Sequence, residues 1–168
     1  NNDIEVDNFL QVPEHLIQKD FSRIMSLKDG SKKMSKSELS DLSRINLTDN
    51  KDQMINKIKK AKTDPLPMPK SLKEIDERVE AKNLIGIYAS LTNSTLEKSI
   101  ENFVGKNFSE FKEKLSEVLV DKIEPISAEI KKLLADQEYL DQILLEGVEK
   151  ANSIASKKIE RIKEIVGF

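Results

Sequence analysis

From Asp49 to the end of this 168-residue chain, apolar residues recur at steps of three and four. That spacing places them on one face of an α-helix, and it persists through several successive segments. The positions that follow it include Met54, Ile55, Ile58, Val79, Leu84, Ile87, Tyr88, Leu91, Phe108, Phe111, Leu115, Val118, Leu119, Ile126, Ile130, Leu133, Leu134, Leu140, Ile143, Leu144, Val148, Ile159 and Ile162. The pattern predicts a mainly α fold, in which a bundle of about four or five helices buries these stripes.

Local signals divide this region into helices. A cap at Asp49 or Asn50 opens the first helix, which must stop before Pro65. The proline-rich stretch 64–69 cannot continue a helix, because each proline removes a donor and restricts the residue before it. It is predicted to be a semi-rigid connector, and a second helix follows at about 78–91.

Three further helices are predicted beyond residue 92. The stretch Ser94–Glu97 has the spacing of a capping box and opens a short helix. A long helix follows, which Pro125 is expected to kink or to split after Ile123. A second long helix is predicted to begin at a cap on Asp136 and to end at Gly167.

The chain before residue 48 has a different character. The segments Phe9–Pro13 and Arg23–Leu27 are short, apolar and bounded by proline or by Lys28-Asp29-Gly30, which indicates extended structure. Residues 1–47 are therefore predicted to be the end of an α/β domain, and residues 48–168 a helical domain.

Charge is nearly balanced over the whole chain but not along it. A net charge of −2 predicts no tight nonspecific binding to nucleic acid. Five basic residues stand against Asp29 between Arg23 and Lys36, and five lysines against Asp52 between Lys51 and Lys62. Lysine runs are usually solvated faces, and this is the favoured interpretation of three of them: Lys57, Lys59 and Lys60.

No metal site is predicted. The chain has no cysteine, and His15 has no second histidine near it. An acidic cluster around Asp76 could attract a cation, but nearby lysines favour a solvated helix start. No apolar run approaches the ~20 residues that a membrane span requires, so no membrane association is expected. Without cysteines, nothing indicates an oxidising compartment, and a cytoplasmic location is expected.

The segment Gly30–Ser37, with the sequence GSKKMSKS, carries the clearest chemical signal. Lys33 and Lys36 stand three apart, and Ser35 and Ser37 alternate with them. Such a turn offers point charges and hydrogen-bond donors to a pyrophosphate group. A serine–lysine loop can equally be a solvated turn, and the loop alone does not decide between the two.

The run Lys33–Ser37 matches the second signature of class I aminoacyl-tRNA synthetases, and its flanks resemble tryptophanyl-tRNA synthetases. Segments similar to Arg23–Leu27 and Ile45–Asp49 surround the signature in that family, and Lys60–Asp64 is similar to the end of its next helix. The resemblance covers nearly the whole chain. It departs at Glu38-Leu39, since the family often has an acidic residue and then proline there, which leaves the local loop conformation open.

This resemblance implies roles for individual residues. Lys33 and Lys36 would be the catalytic pair, bound to the β- and γ-phosphates of ATP, which enters with Mg²⁺. Met34 would hold the loop against the protein, and the backbone of Ile24 would contact adenine. The implied ATP-binding set is Ile24, Lys33, Met34, Ser35, Lys36 and Ser37.

The resemblance further implies a fold and a function. The chain would be the C-terminal end of a Rossmann-like α/β catalytic domain followed by an α-helical, anticodon-binding bundle, and thus the C-terminal half of a homodimeric enzyme. That enzyme would activate tryptophan with ATP and transfer it to tRNA(Trp). This half alone is expected to be inactive, because the histidine motif and amino-acid pocket are absent. No particular residue is assigned to reading the anticodon.

Two alternatives remain open on the sequence. The chain could be a non-catalytic helical module that binds tRNA or protein and inherited the lysine loop without the chemistry. It could also belong to a related synthetase for another amino acid, because the pocket that selects the side chain lies outside it.

Overall fold

The structure, a computed structural model, describes residues 12–16 and 22–167. Within these residues it is mainly helical, as predicted, with no β-strand. The extended segment 23–27 forms only an isolated antiparallel bridge, between Met25 and Lys33; most of the other predicted extended segment, residues 9–11, lies outside the described residues. In the described part of the chain, a 3₁₀ turn at Asp41–Ser43 precedes six helices: α1 (Lys51–Lys60), α2 (Leu72–Asp76), α3 (Val79–Leu91), α4 (Leu96–Glu101), α5 (Phe108–Ala135) and α6 (Gln137–Val166).

The chain divides into two compact units. One comprises residues 17–131 and holds the first four helices and most of α5. The other comprises residues 1–16 and 132–168, and so contains α6. The predicted domain boundary between residues 47 and 48 stays a prediction.

Most predicted helix ends agree closely with the observed ones, but the predicted capping box at Ser94–Glu97 was wrong: Thr95 caps α4, and its hydroxyl accepts from the Lys98 N–H at 3.3 Å. Asn50 caps α1 in a capping box, because its side chain accepts from the Gln53 N–H at 2.9 Å and the Gln53 side chain accepts from the Asn50 N–H at 2.8 Å. Asp136 caps α6 through the Tyr139 N–H at 3.0 Å. Gly167 ends that helix in the left-handed conformation, with φ of +85°.

Two local predictions were wrong or incomplete. Pro125 does not split α5, which runs without a break from Phe108 to Ala135, and the alternative of a kink at Pro125 stays a prediction. Proline removes one backbone donor, and both Pro125 and Asp121, whose carbonyl loses that donor, are exposed, so water can reach the carbonyl. Helix α2 was not predicted, since five residues are too short to show a periodic pattern.

The core of the 17–131 unit is built by all five of its helices. Tyr88, Phe103 and Phe111 pack edge to face at its centre, with ring centroids 4.8–6.1 Å apart. Val79 was predicted to be buried, but its position at the first turn of α3 leaves it exposed. The other buried apolar residues are Leu27, Met54, Ile58, Ala61, Met68, Ile75, Ala81, Leu84, Ile85, Ile87, Ala89, Ile100, Phe108, Leu115, Leu119 and Val120.

The proline connector is held by one buried arginine. Arg78 forms two hydrogen bonds with the Asp64 carboxylate, at 2.9 and 2.6 Å, and donates to the Pro67 carbonyl at 2.8 Å. Its guanidinium also lies over the Phe108 ring at 5.7 Å. Because a planar fork can bond a carboxylate and a carbonyl together, a segment without regular structure is fixed against α3 and α5.

Helix α6 differs from the prediction. Its apolar stripe was expected to be packed in the bundle, but none of its residues is buried. Side chains on the stripe such as Ile143, Leu144 and Val148 are about half exposed or more. The pattern identified the helix correctly, whereas no described residue buries its apolar face. Among the described helices, none is sufficiently long and apolar to cross a membrane.

Candidate functional site

The segment Gly30–Ser37 is called the signature loop below. Its first residues belong to a short hairpin that spans residues 24–34. The Ser26 N–H donates to the Lys32 carbonyl at 2.8 Å, and the Met34 N–H donates to the Ile24 carbonyl at 3.0 Å. These two bonds flank the bridge between Met25 and Lys33. In such an antiparallel pair the backbone groups of Met25 point away from Lys33 and need another partner.

Asn83 of α3 is that partner. Its Oδ1 accepts from the Met25 N–H at 3.0 Å, and its Nδ2 donates to the Met25 carbonyl at 2.9 Å. The asparagine is 4% exposed, so the amide group replaces a neighbouring strand for a backbone that would otherwise be buried without partners. Sequence analysis missed this role, although a polar residue within the buried face of α3 was a visible signal.

The turn of the hairpin is docked on the start of α3. The Lys32 N–H donates to the Asp29 carbonyl at 3.0 Å, and Ser31 donates to the Asp29 carboxylate through both its N–H and its hydroxyl. These Ser31 bonds, together with Lys32, hold the pKa of Asp29 below its usual range. A Cβ on Gly30 would lie 2.9 Å from the Val79 carbonyl group, so only glycine allows this close approach.

The two signature lysines remain accessible. Lys33 and Lys36 are exposed, and no ion pair to either is found among the described residues. The hydroxyls of Ser35 and Ser37 lie 2.9 Å apart, and Met34 is half-buried against the core. The loop is therefore attached through its methionine while its charged groups face outward.

The loop forms one wall of a cleft of about 760 Å³. Five of the six predicted ATP-binding residues line it, and Ser37 does not. The lining includes four basic side chains and no carboxylate, so the cleft favours an anion. The lining residues are Ser22, Arg23, Ile24, Lys33, Met34, Ser35, Lys36, Arg44, Ile45, Asn46, Leu47 and Thr48.

Arg44 fixes the opposite end of the loop. Its guanidinium donates to the Glu38 carbonyl at 2.9 Å and to Asn46 Oδ1 at 3.1 Å, and it pairs with Asp41 at 3.1 Å. The Glu38-Leu39 sequence, at which the chain departs from the resemblance, is thus held by a side chain. Sequence analysis assigned no role to Arg44, because its partners follow no helix or strand period and one of them is a backbone carbonyl.

Lys57 is the clearest correction at this site. It was interpreted as part of a solvated face, but it is 3% exposed. Its ammonium lies 2.6 Å from Asp49 and 2.7 Å from Asp41. A lysine within a lysine-rich run can be buried when carboxylates from other segments pair with its ammonium. Helical spacing alone does not reveal such partners.

The chain matches a known protein family. Residues 2–123 match the family model described as tRNA synthetases class I (W and Y). The chain belongs to this family. The resemblance to tryptophanyl-tRNA synthetases is confirmed by individual relatives, and the hairpin, cleft and signature loop described above are parts of a class I synthetase.

Curated relatives extend the match over the whole chain. It is 44% identical over 168 residues to the tryptophan–tRNA ligase of Caulobacter vibrioides, which covers all of this chain and 49% of the relative. It is 49% identical over 159 residues to that of Rickettsia felis, covering 95% of this chain and 48% of the relative. The synthetase chain thus spans about half the length of these relatives.

A solved structure supports the fold. The tryptophanyl-tRNA synthetase of Mycoplasma pneumoniae superimposes with a TM-score of 0.72 at 26% identity, covering 90% of this chain and 47% of the other.

Proposed function

We propose that this chain is the C-terminal half of a tryptophan–tRNA ligase and supplies its pyrophosphate-binding loop. The observation that carries the proposal is the cleft of the signature loop, which presents Lys33 and Lys36 without carboxylates in its lining. The curated relatives named above are tryptophan–tRNA ligases and extend over about twice the length of this chain.

The proposed chemistry follows from where charge develops. The tryptophan carboxylate attacks the α-phosphate of ATP, the bond to the β-phosphate oxygen breaks, and pyrophosphate leaves with its Mg²⁺. Lys33 and Lys36 stabilise the negative charge that grows on this leaving group, and Ser35 and Ser37 donate hydrogen bonds to its oxygens. Removal of one such preorganised donor typically costs about 10²–10³ in rate.

The hairpin gives the base of the nucleotide a place to bind. The carbonyl of Ile24 accepts a hydrogen bond from the Met34 N–H, and the half-exposed Ile24 lies on the wall of the cleft. In the proposal this backbone contacts adenine, and the phosphates extend toward Lys36. The fixed hairpin then sets the distance between base and lysines.

The remaining parts of the proposal concern the whole enzyme. Residues 1–47 are the end of the Rossmann-like catalytic domain, and residues 48–168 are the helical domain that binds the anticodon of tRNA(Trp). The enzyme acts as a homodimer in the cytoplasm. Because the amino-acid pocket is absent, the 168-residue chain alone should give no pyrophosphate exchange.

The proposal can be tested in a ligase with this chain as its C-terminal half and the N-terminal half of the Caulobacter vibrioides relative, which supplies the amino-acid pocket and leaves the lysine loop and the choice of tRNA to this chain. We expect tryptophan-dependent ATP–pyrophosphate exchange, and charging of tRNA(Trp) but not of tRNA(Tyr) in a tRNA pool. The unmodified Caulobacter enzyme is the positive control. Exchange without charging of tRNA(Trp) would contradict the proposal and favour the synthetase for another amino acid, and binding of tRNA without any exchange would favour the non-catalytic module.

A further inference from the structure

The buried ammonium of Lys57 joins helix α1 to the segment that follows the signature loop. Its side chain is 4% exposed and contacts two carboxylates, Asp49 at 2.6 Å and Asp41 at 2.7 Å. A buried charge requires such partners, since desolvation is otherwise costly. Two carboxylates on one ammonium leave a negative charge, which Arg44 offsets through Asp41.

From Asp41 the contacts continue to the loop itself. Asp41 Oδ1 pairs with Arg44 at 3.1 Å, and Arg44 donates to the Glu38 carbonyl at 2.9 Å. Glu38 directly follows Ser37, the last residue of the signature. A continuous path of charged hydrogen bonds therefore leads from α1 to the end of the loop.

The two carboxylates have different surroundings. Asp49 is 5% exposed and also accepts from the Asn46 N–H at 2.8 Å. Its backbone carbonyl accepts from the Ser127 hydroxyl of α5 at 3.2 Å. The Asp41 side chain is 55% exposed and contacts Lys57, Arg44 and Asn46. Asp49 thus fixes Lys57 in the core, and Asp41 connects the fixed ammonium to Arg44.

We propose that Lys57 is a positioning residue for the signature loop, acting through Asp41 and Arg44 on the backbone at Glu38. The inference rests on the proposed function, in which Lys36 must face the leaving pyrophosphate. Asn83 fixes the hairpin before the loop, and Lys57 fixes the end that follows it. Holding both ends restricts Lys36 to the productive region, which is how preorganised charge lowers a barrier.

Asp41→Asn tests this without removing the buried lysine. The variant weakens the path to the loop and leaves the Lys57–Asp49 pair in place. Asp76→Asn is the matched control, because Asp76 pairs with Lys82 at the same 2.7 Å and is 63% exposed, but does not contact the loop. Backbone amide hydrogen exchange of the 168-residue chain reports on the loop and on α1 separately.

We expect peptides within residues 35–44 to exchange about tenfold faster in Asp41→Asn, the loss typical of a charge-assisted hydrogen bond. Peptides of α1 should keep the wild-type rate, and Asp76→Asn should match wild type in both regions. Equal loop exchange in the two variants would overturn the inference. So would an equal acceleration of the loop and α1, which indicates general loosening.

Kinetics in the ligase described above separates positioning from structure. We expect Asp41→Asn to lower kcat for tryptophan-dependent pyrophosphate exchange about tenfold with an unchanged KM for tryptophan, and Asp41→Glu to restore part of the loss. A kcat equal to that of Asp76→Asn would overturn the inference. If instead Lys33 and Lys36 prove dispensable, the proposed function fails while the exchange result at the loop still stands.

Discussion

Arg78 shows how one side chain can replace a secondary-structure element. Its guanidinium bonds a carboxylate and backbone carbonyls of the connector and covers the Phe108 ring. The sequence predicted the connector from its prolines but not the arginine that holds it, because Arg78 and Asp64 lie 14 residues apart. Local composition identifies a break in structure, whereas its anchor depends on tertiary contacts.

Replacing Arg78 by alanine should strongly destabilise the chain. It leaves the Asp64 carboxylate and the Pro67 carbonyl without their donor, and loss of a partner from a buried pair costs about 3–5 kcal/mol. Urea unfolding followed by circular dichroism measures the change. Arg161→Ala is the control, because Arg161 pairs with Glu164 in an exposed site and should change the free energy of unfolding by less than about 1 kcal/mol. Similar values for the two variants would contradict this role of Arg78.

Gly30 allows a second prediction at the residue scale. A Cβ there meets the backbone of Val79 at 2.9 Å, and backbone cannot turn aside as a side chain can. Gly30→Ala should lower the free energy of unfolding by about 1–3 kcal/mol, the usual cost of overpacking. The control variant, Gly147→Ala in α6, should have the opposite effect on stability. A Cβ on Gly147 has nothing within 4 Å, so alanine should raise helicity there. Thermal unfolding of both variants tests the pair.

At the scale of elements, helices were predictable and their connections were not. The ends of α1 and α6 follow from caps that are visible in the sequence, since a cap involves residues three apart. The signature loop was found from its letters, but the three contacts that fix it come from other elements. Asn83 lies on α3, Lys57 on α1 and Arg44 beyond the 3₁₀ turn. No local pattern carries these pairings.

The link between α1 and the loop, which runs through the Asp41 carboxylate, should depend on pH. The Lys57 hydrogen bond, and then Asn46, hold the pKa of Asp41 below 3.8. A lowered carboxylate pKa contributes stability above the unfolded value, and this is lost as the pH falls through the folded value. The difference in melting temperature between wild type and Asp41→Asn should be present at pH 6 and should shrink below pH 3.8. A difference that is constant from pH 6 to pH 3 would contradict the link.

For the whole molecule, the apolar stripe of α6 marks what periodicity can and cannot establish. The stripe predicted a helix of the right length and position, and that helix forms with none of its residues buried. Periodicity reports which face is apolar, but it does not identify the surface that covers it. In the 17–131 unit the same argument succeeded for most positions, though not for Val79 and Ile126, because helices close in sequence cover one another there.

The family was predictable for a different reason. The letters of the signature and its flanks identified the family, and the match over residues 2–123 confirms it. The structure then adds a cleft in which the predicted residues from Ile24 to Lys36 lie together. The roles of these residues toward ATP remain the central proposal. The negative charge that Lys33 and Lys36 would stabilise develops on the leaving pyrophosphate only during the reaction, so these roles must be tested by kinetics.

The most direct test is the rate of tryptophan-dependent ATP–pyrophosphate exchange in the ligase that contains this chain, comparing wild type with Lys33→Ala/Lys36→Ala. Lys59→Ala/Lys60→Ala is the matched control, since it removes two exposed lysines from α1 outside the loop. The account predicts at least a ~100-fold loss for the loop variant, an unchanged control and unchanged affinity for tRNA. Equal exchange rates in all three proteins would contradict it.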